Sequence, residues 1–238
     1  MERVDFTQYM ANDLLRPYRE WLAKRKPDLF FKRFFDILLS IVCMAILVPF
    51  YLLAAAAIKL TSPGPVFFLQ ERVGRGGRPF NIIKFRTMAV DKKEVVRLTV
   101  GNDDPRVTKV GGFLRVTHMD EFPQFFNVFK GDMSLIGVRA DVPEYCLHFI
   151  PEDYATMLLR PGMTSPASIK YRHENELLRA SDDPEKKYIE EILPAKMAVN
   201  RAYIREYSFW NDVRILGRTF KCVFEKDEAL EGVRQAEK

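Results

Sequence analysis

The chain has 238 residues, 37 Lys and Arg against 32 Asp and Glu, a net charge of +5, 47% hydrophobic positions and a mean hydropathy of −0.17. This length fits one domain or one domain with an appendage, and the mean hydropathy excludes a polytopic membrane protein. The 29% of charged residues and the 19 Phe exclude a disordered chain, while Cys43, Cys146 and Cys222, far apart, and three His without a close pair argue against a disulfide framework or a His-based zinc site.

Up to Pro27 the chain reads as an amphipathic helix, with Tyr9, Leu14, Leu15, Tyr18, Trp21 and Leu22 set among Arg16, Arg19, Lys24 and Arg25, suited to lying at a membrane interface. Residues 37–58 then form a run of 22 residues without a charge. As a helix it would reach about 33 Å, against a bilayer core of about 30 Å. It begins too late, and lacks the small-residue cleavage site, for a signal peptide. Lys32 and Arg33 precede the run and Lys59 follows it, which by the positive-inside rule favours both ends on the cytoplasmic face. Pro49, near the middle, removes a backbone donor and predicts a kink. A helix broken at Pro49 that enters and leaves by one leaflet satisfies both observations; a straight spanning anchor ranks second and a buried soluble helix third.

Thr61-Ser62-Pro63-Gly64-Pro65 ends this helix as a turn. Residues 66–70 and 80–85 read as short strands joined by Gly74-Arg75-Gly76-Gly77-Arg78-Pro79, a loop too Gly-rich and basic to pack. Asp104-Pro105 and Gly111-Gly112 punctuate the stretch between the second strand and the next helix. Residues 120–130 read as that helix, with Pro123 in its first turn and Gly131 past its end, and Phe122, Phe125, Phe126 and Phe129 share one face. That face suits a protein core or, beside a membrane segment, the acyl boundary. The last third reads as helical, with Pro151, Pro161, Pro166, Pro184 and Pro194 as breaks. Charge is uneven: residues 59–116 hold 12 basic and 5 acidic residues, so the basic excess comes directly after the apolar run, where lipid headgroups or phosphorylated substrates would be met.

Asp120 and Glu121 open the Phe-bearing helix, where backbone N–H groups and the helix dipole favour anions. Acidic residues are ordinary in a first turn, and Thr117 is placed to form a capping box with Asp120, so spacing alone does not make the pair catalytic. Lys84, Arg86, Arg115, Arg139 and Arg160 surround it in sequence. Guanidinium forks match phosphate oxygens, and Mg²⁺ commonly combines one or two carboxylates with substrate phosphates. No Walker loop or dinucleotide glycine pattern occurs, and the aromatics are not interleaved with basic residues as nucleic acid binding would need.

Phe34-Phe35-Asp36 before a Pro-bearing apolar helix, Ser62-Pro63-Gly64-Pro65-Val66-Phe67-Phe68, Gln70-Glu71-Arg72-Val73-Gly74, Lys84-Phe85-Arg86-Thr87-Met88, Gly111-Gly112-Phe113-Leu114-Arg115, Asp120-Glu121-Phe122-Pro123-Gln124, residues 127–137 and Arg160-Pro161-Gly162-Met163-Thr164 together resemble the bacterial sugar transferases, the monotopic phosphoglycosyl transferases. The likeness covers about residues 30–170 in register. It implies transfer of a sugar 1-phosphate from a UDP-sugar to undecaprenyl phosphate with release of UMP, priming glycoconjugate assembly. It also implies Asp120 as the nucleophile forming a phosphosugar-aspartyl intermediate, and Glu121 as a Mg²⁺ ligand or general base. Lys84, Arg86, Arg115, Arg139 and Arg160 are implied as phosphate-binding residues, with Mg²⁺ as cofactor and a re-entrant helix on the cytoplasmic face of the bacterial inner membrane. Where the family often has Ser-Pro at the helix break this chain has Val48-Pro49, where Ser is usual it has His118, and Val138-Arg139-Ala140 stands for Pro-Arg-Pro; residues 164–169 also depart from the commoner form.

The expected architecture is therefore α+β and mainly helical: an N-terminal interfacial segment at 1–30, a re-entrant helix at 31–60, a catalytic core with a β-hairpin at 61–170 and a helical region at 171–238. Expected partners are the two substrates and one membrane leaflet, with a homo-oligomer allowed and no nucleic acid. The rival reading is a non-catalytic peripheral membrane scaffold that binds anionic lipid; it leaves Asp120-Glu121 in its matched surroundings without a purpose.

Overall fold

The computed structural model describes residues 4–89, 104 and 106–224. The Pro105 half of the Asp104-Pro105 turn, the basic residues between 90 and 103, and the end of the C-terminal helical region beyond 224 lie outside the described residues. The fold is mainly helical with two small sheets.

The N-terminal segment runs through 3-10 turns into α1 (Arg16–Ala23). Its amphipathic pattern is real, but Phe6, Leu15, Tyr18 and Leu22 are buried in the main protein core with Tyr154, Tyr203, Ile204 and Tyr207. The expectation of an interfacial helix is thus corrected for this face: protein, rather than a membrane, covers it. The same core joins residues of the N-terminal segment with Tyr203, Ile204, Tyr207 and Ile215 from the last third of the chain.

The apolar run lies in α2 (Lys26–Thr61), 36 residues with Pro49 inside. Helical structure continues across Pro49, so the expected two helices form one element, about 54 Å along its path at 1.5 Å per residue. It is long and apolar enough to cross a membrane, and only 11% of its most apolar 18-residue window is buried. Ile46, Leu52, Leu53 and Leu60 are exposed. Yet both ends are tied to one protein body. Near the start, Lys32 donates to Asp212 (2.5 Å) and to the Ile136 carbonyl (2.7 Å), Asp36 accepts from the Leu135 N–H (3.0 Å), and Arg33 donates to the carbonyls of Val128 and Phe129 (2.7 and 2.9 Å). Near the end, Tyr51 donates to the Phe122 carbonyl (3.1 Å), and Ala54 and Ile58 are buried against Phe85 and Leu114.

Beyond the helix, β1 (Phe67–Val73) and β2 (Pro79–Phe85) form the expected antiparallel hairpin. Its Gly-rich loop is packed after all. A Cβ at Gly77 would lie 2.6 Å from the Phe6 backbone, so only glycine lets the N-terminal segment close over this turn. Next, α3 (Lys109–Val116) starts on a Thr108 cap and lies so close to β2's exit that a Cβ at Gly111 would meet the Thr87 carbonyl at 1.9 Å. A 3-10 turn over Met119–Glu121 leads to α4 (Gln124–Lys130), which Gly131 terminates in the left-handed conformation. Then β3 (Ser134–Ile136) pairs in parallel with β4 (Gly162–Thr164), with α5 (Pro143–Cys146) between them. The remaining helices are α6 (Pro166–Lys170), α7 (Glu174–Arg179), α8 (Pro184–Lys187), α9 (Leu193–Arg205) and α10 (Phe209–Phe224). Pro166 and Pro184 open helices where breaks were expected, because a first-turn position needs no N–H, while helical structure runs from Pro184 through a π-helical turn (Tyr188–Ile192) into α9 with no break at Pro194. No cysteine is in a disulfide, and Cys146 is buried.

Candidate active site

Asp120 and Glu121 stand at the junction of α3, α4 and β2. The turn that carries them starts at His118, which has φ 55°, the one non-glycine residue with positive φ among the described residues. A β-carbon makes that conformation costly, and such strain gathers where surrounding structure imposes a geometry. The expected capping box does not form. Thr117 turns its hydroxyl back to the Phe113 and Leu114 carbonyls, and the helical turn begins without a side-chain cap. The predicted helix over 120–130 is therefore a 3-10 turn followed by α4.

The two carboxylates live differently. Glu121 Oε1 accepts from Lys84 Nζ at 2.8 Å and from the Arg139 guanidinium. Burial pushes its carboxyl up, but Arg139 and Lys84 outweigh this and hold it well below the usual carboxylate range. Asp120 makes no hydrogen bond or ion pair with a described residue. Burial, then the neighbouring Glu121 charge, raise its pKa, partly opposed by Lys84, His118 and Arg115. A half-buried carboxylate with charge around it but no partner is available for chemistry.

Of the five predicted phosphate-binding residues, the structure brings Lys84, Arg115 and Arg139 to the pair. Arg115 lies within electrostatic reach of Asp120, and its Nη1 is buried without a partner. Arg86 is committed elsewhere: it is buried and donates to the Ser62 carbonyl and hydroxyl and to the Pro63 carbonyl (2.7 to 2.8 Å), closing the end of α2. Arg160 sits with Arg33 and Arg75 at the Gly131 end of α4, donating to the Gly131 carbonyl at 2.8 Å. Pro49 lies on α2 two residues before Tyr51, whose hydroxyl donates to the carbonyl of Phe122, the residue after Glu121.

Two residues missed in the sequence complete the site's support. The side of α4 that faces protein carries Gln124, Asn127 and Val128, all buried, while Phe126 and Phe129 are 44% and 48% exposed. Asn127 accepts from the Ile83 N–H and donates to the Asn81 carbonyl, so an amide pins α4 to β2. Gln124 is buried with both side-chain polar atoms unpaired. The helix thus turns two amides inward beside Val128 and leaves Phe126 and Phe129 outside. The sequence does carry the signal: four Phe on one side leave the amides for the other.

Among the described residues no group of three His, Cys, Asp or Glu converges as a metal cage. The donors that remain are the Asp120 carboxylate and Glu121 Oε2. They fit Mg²⁺ in the mode that takes one or two carboxylates and completes its shell with phosphates and water, and a cation there would relieve the uncompensated Asp120 charge.

The bacterial sugar transferase family profile matches residues 27–226. Similar proteins include the UDP-glucose:undecaprenyl-phosphate glucose-1-phosphate transferase of Caulobacter vibrioides, 38% identical over 203 residues that cover 83% of this chain and 71% of the relative. The UDP-N-acetylgalactosamine-undecaprenyl-phosphate N-acetylgalactosaminephosphotransferase of Aeromonas hydrophila is 37% identical over 82% of this chain and 44% of its own length. The undecaprenyl-phosphate galactose phosphotransferase of Salmonella typhimurium is 34% identical over 87% and 43%. The chain thus spans less than half the length of these last two. A profile match over most of the chain, with Asp120, Glu121, Lys84, Arg115 and Arg139 assembled inside it, shows that the chain belongs to the bacterial sugar transferase family and is a transferase.

Proposed function

We propose that the chain moves a sugar 1-phosphate from a UDP-sugar to undecaprenyl phosphate, with Asp120 as nucleophile. The observation that carries this is the unpartnered Asp120 carboxylate beside a Glu121 clamped by two cations. An Asp120 oxygen attacks the β-phosphorus. The bond from that phosphorus to the bridging oxygen breaks, UMP leaves with the electron pair, and the sugar phosphate is held as a mixed anhydride on Asp120. An oxygen of undecaprenyl phosphate then attacks the same phosphorus and frees the carboxylate. Lys84, Arg115 and Arg139 offset the phosphate charge that opposes approach of an anionic nucleophile. Glu121 orients Lys84 and Arg139. Mg²⁺, held through Asp120 and Glu121 Oε2, would neutralise the diphosphate and polarise its oxygens.

The acceptor is a lipid, so the site must sit at membrane depth. The exposed Phe126 and Phe129 of α4, Phe67, Phe68 and Leu69 of β1 and Phe113 and Val116 of α3 belong to elements that frame the site, and they support seating in one leaflet. The re-entrant reading of α2 is supported by its two ends holding the same body, since a straight span would carry one end to the far side of the bilayer. Both ends of α2, Arg33 and Lys59 included, then lie on the cytoplasmic side of a bacterial inner membrane, with Lys32 buried against Asp212.

The experiment is UMP release by full chain in membranes with Mg²⁺, a panel of UDP-sugars and undecaprenyl phosphate. Release that Asp120→Asn abolishes is expected; equal release by the variant would remove Asp120 from the reaction.

A further inference from the structure

Arg139, whose side chain donates to Glu121, also lines a polar cavity of about 200 Å³, walled by Arg72 of β1, Asp141, Tyr145 of α5, Tyr188, and Lys196 and Asn200 of α9. Among the described residues, three that line it carry a buried polar atom without a partner: Arg72 Nε, Tyr145 Oη and Asn200 Oδ1. Asn200 is 3% exposed and Tyr145 9%. Folded proteins leave few such groups, since each unmatched buried donor or acceptor costs about 1–3 kcal/mol. Three around one cavity, a donor, a hydroxyl and an acceptor, describe a space organised for a polar occupant.

The charges narrow its chemistry. Arg72, Arg139 and Lys196 are set against Asp141 and Glu174, and Lys196 is paired with Glu174 at 2.8 Å. A phosphate deep in this space would face two carboxylates, whereas a neutral polyhydroxyl group can use donors and acceptors alike. Tyr145 and Tyr188, with ring centroids 4.7 Å apart, supply an aromatic wall for C–H faces. The cavity has room for a group the size of one pyranose ring.

Resting on the transfer reading, which places the donor's β-phosphate at Arg139, we propose that this cavity receives the sugar of the UDP-sugar, and that Arg72, Tyr145 and Asn200 read its substituents. The sugar is one bond from that phosphate, so an occupied phosphate site delivers it to the cavity mouth. The C-terminal third of the chain, through Tyr188, Lys196 and Asn200, thereby becomes the sugar-reading part of the enzyme.

The test is calorimetric titration of the full chain in lipid nanodiscs, carrying Asp120→Asn so that the donor stays intact, with UDP and with UDP-glucose, UDP-galactose and their N-acetylamino counterparts. At least one UDP-sugar is expected to bind about tenfold tighter than UDP, and Tyr145→Phe or Asn200→Leu to remove most of that gain while UDP binding stays within about twofold. Tyr145→Phe deletes one unpaired oxygen and keeps the ring, so its folding is not in question. Equal losses for UDP and UDP-sugar would put the uridine in the cavity, and unchanged binding of both would leave it to water; either result overturns the proposal. Sugar-dependent binding without UMP release by the unsubstituted chain would keep the cavity and remove the transfer reading.

Discussion

Asp120 and Glu121 are adjacent in the chain but belong to two electrostatic regions. On one side, Glu121 is held between Lys84 and Arg139, which reach it from β2 and from the segment after β3 and fix the turn against both. On the other, Asp120 has burial and a like charge beside it and no bonded partner. The contrast teaches that a paired carboxylate tends to organise a site while the unpaired neighbour keeps its reactivity.

The strongest way to break this contrast is Asp120→Asn, which should lower UMP release by about 10³-fold or more while leaving the melting temperature unchanged or slightly raised, because it removes repulsion and no bond. Glu121→Gln should lower both UMP release and stability. It leaves Lys84 and Arg139 facing each other without an anion and should cost about 3 kcal/mol of stability by denaturant unfolding. The pH dependence separates them as well. The lowered Glu121 pKa means that its stabilising share is complete above the ordinary carboxylate range and is lost as pH falls through the folded value. Asp120, raised by burial and by Glu121, should titrate above an ordinary aspartate in the metal-free chain, and added Mg²⁺ should bring it down. Arg86→Ala should cost about 2 kcal/mol of stability by freeing the end of α2 while leaving KM for the UDP-sugar unchanged; a raised KM with intact stability would return Arg86 to the phosphate-binding set. The smallest effect is expected for Phe126→Ser and Phe129→Ser, each weakening vesicle association by several-fold with the carboxylate pair undisturbed.

Much of this is legible in the sequence, and the failures have physical causes. The hairpin, the apolar helix and the Gly131 stop come from spacing and pattern, while the Asp120-Glu121 pair with Lys84 and Arg139 comes from the family resemblance. The amphipathic stretch at α1 reads as a membrane face because periodicity reports an apolar side and says nothing of what covers it; Tyr203 and Tyr207, from the far end of the chain, do so. Arg86 reads as a phosphate ligand because a guanidinium suits phosphate and backbone carbonyls equally, and only the fold shows the Ser62 carbonyl within reach. The sugar cavity is invisible in the sequence because Arg72, Tyr145 and Asn200 are ordinary residues far apart in the chain.

The central claim, that Asp120 carries the sugar phosphate, is tested most directly by intact-mass spectrometry of the chain mixed with a UDP-sugar and Mg²⁺ in the absence of any polyprenol phosphate. The account predicts an adduct of one sugar phosphate, mapped to Asp120, absent from Asp120→Asn and discharged when undecaprenyl phosphate is added. Turnover that requires both substrates together, with no adduct from donor alone, would contradict it.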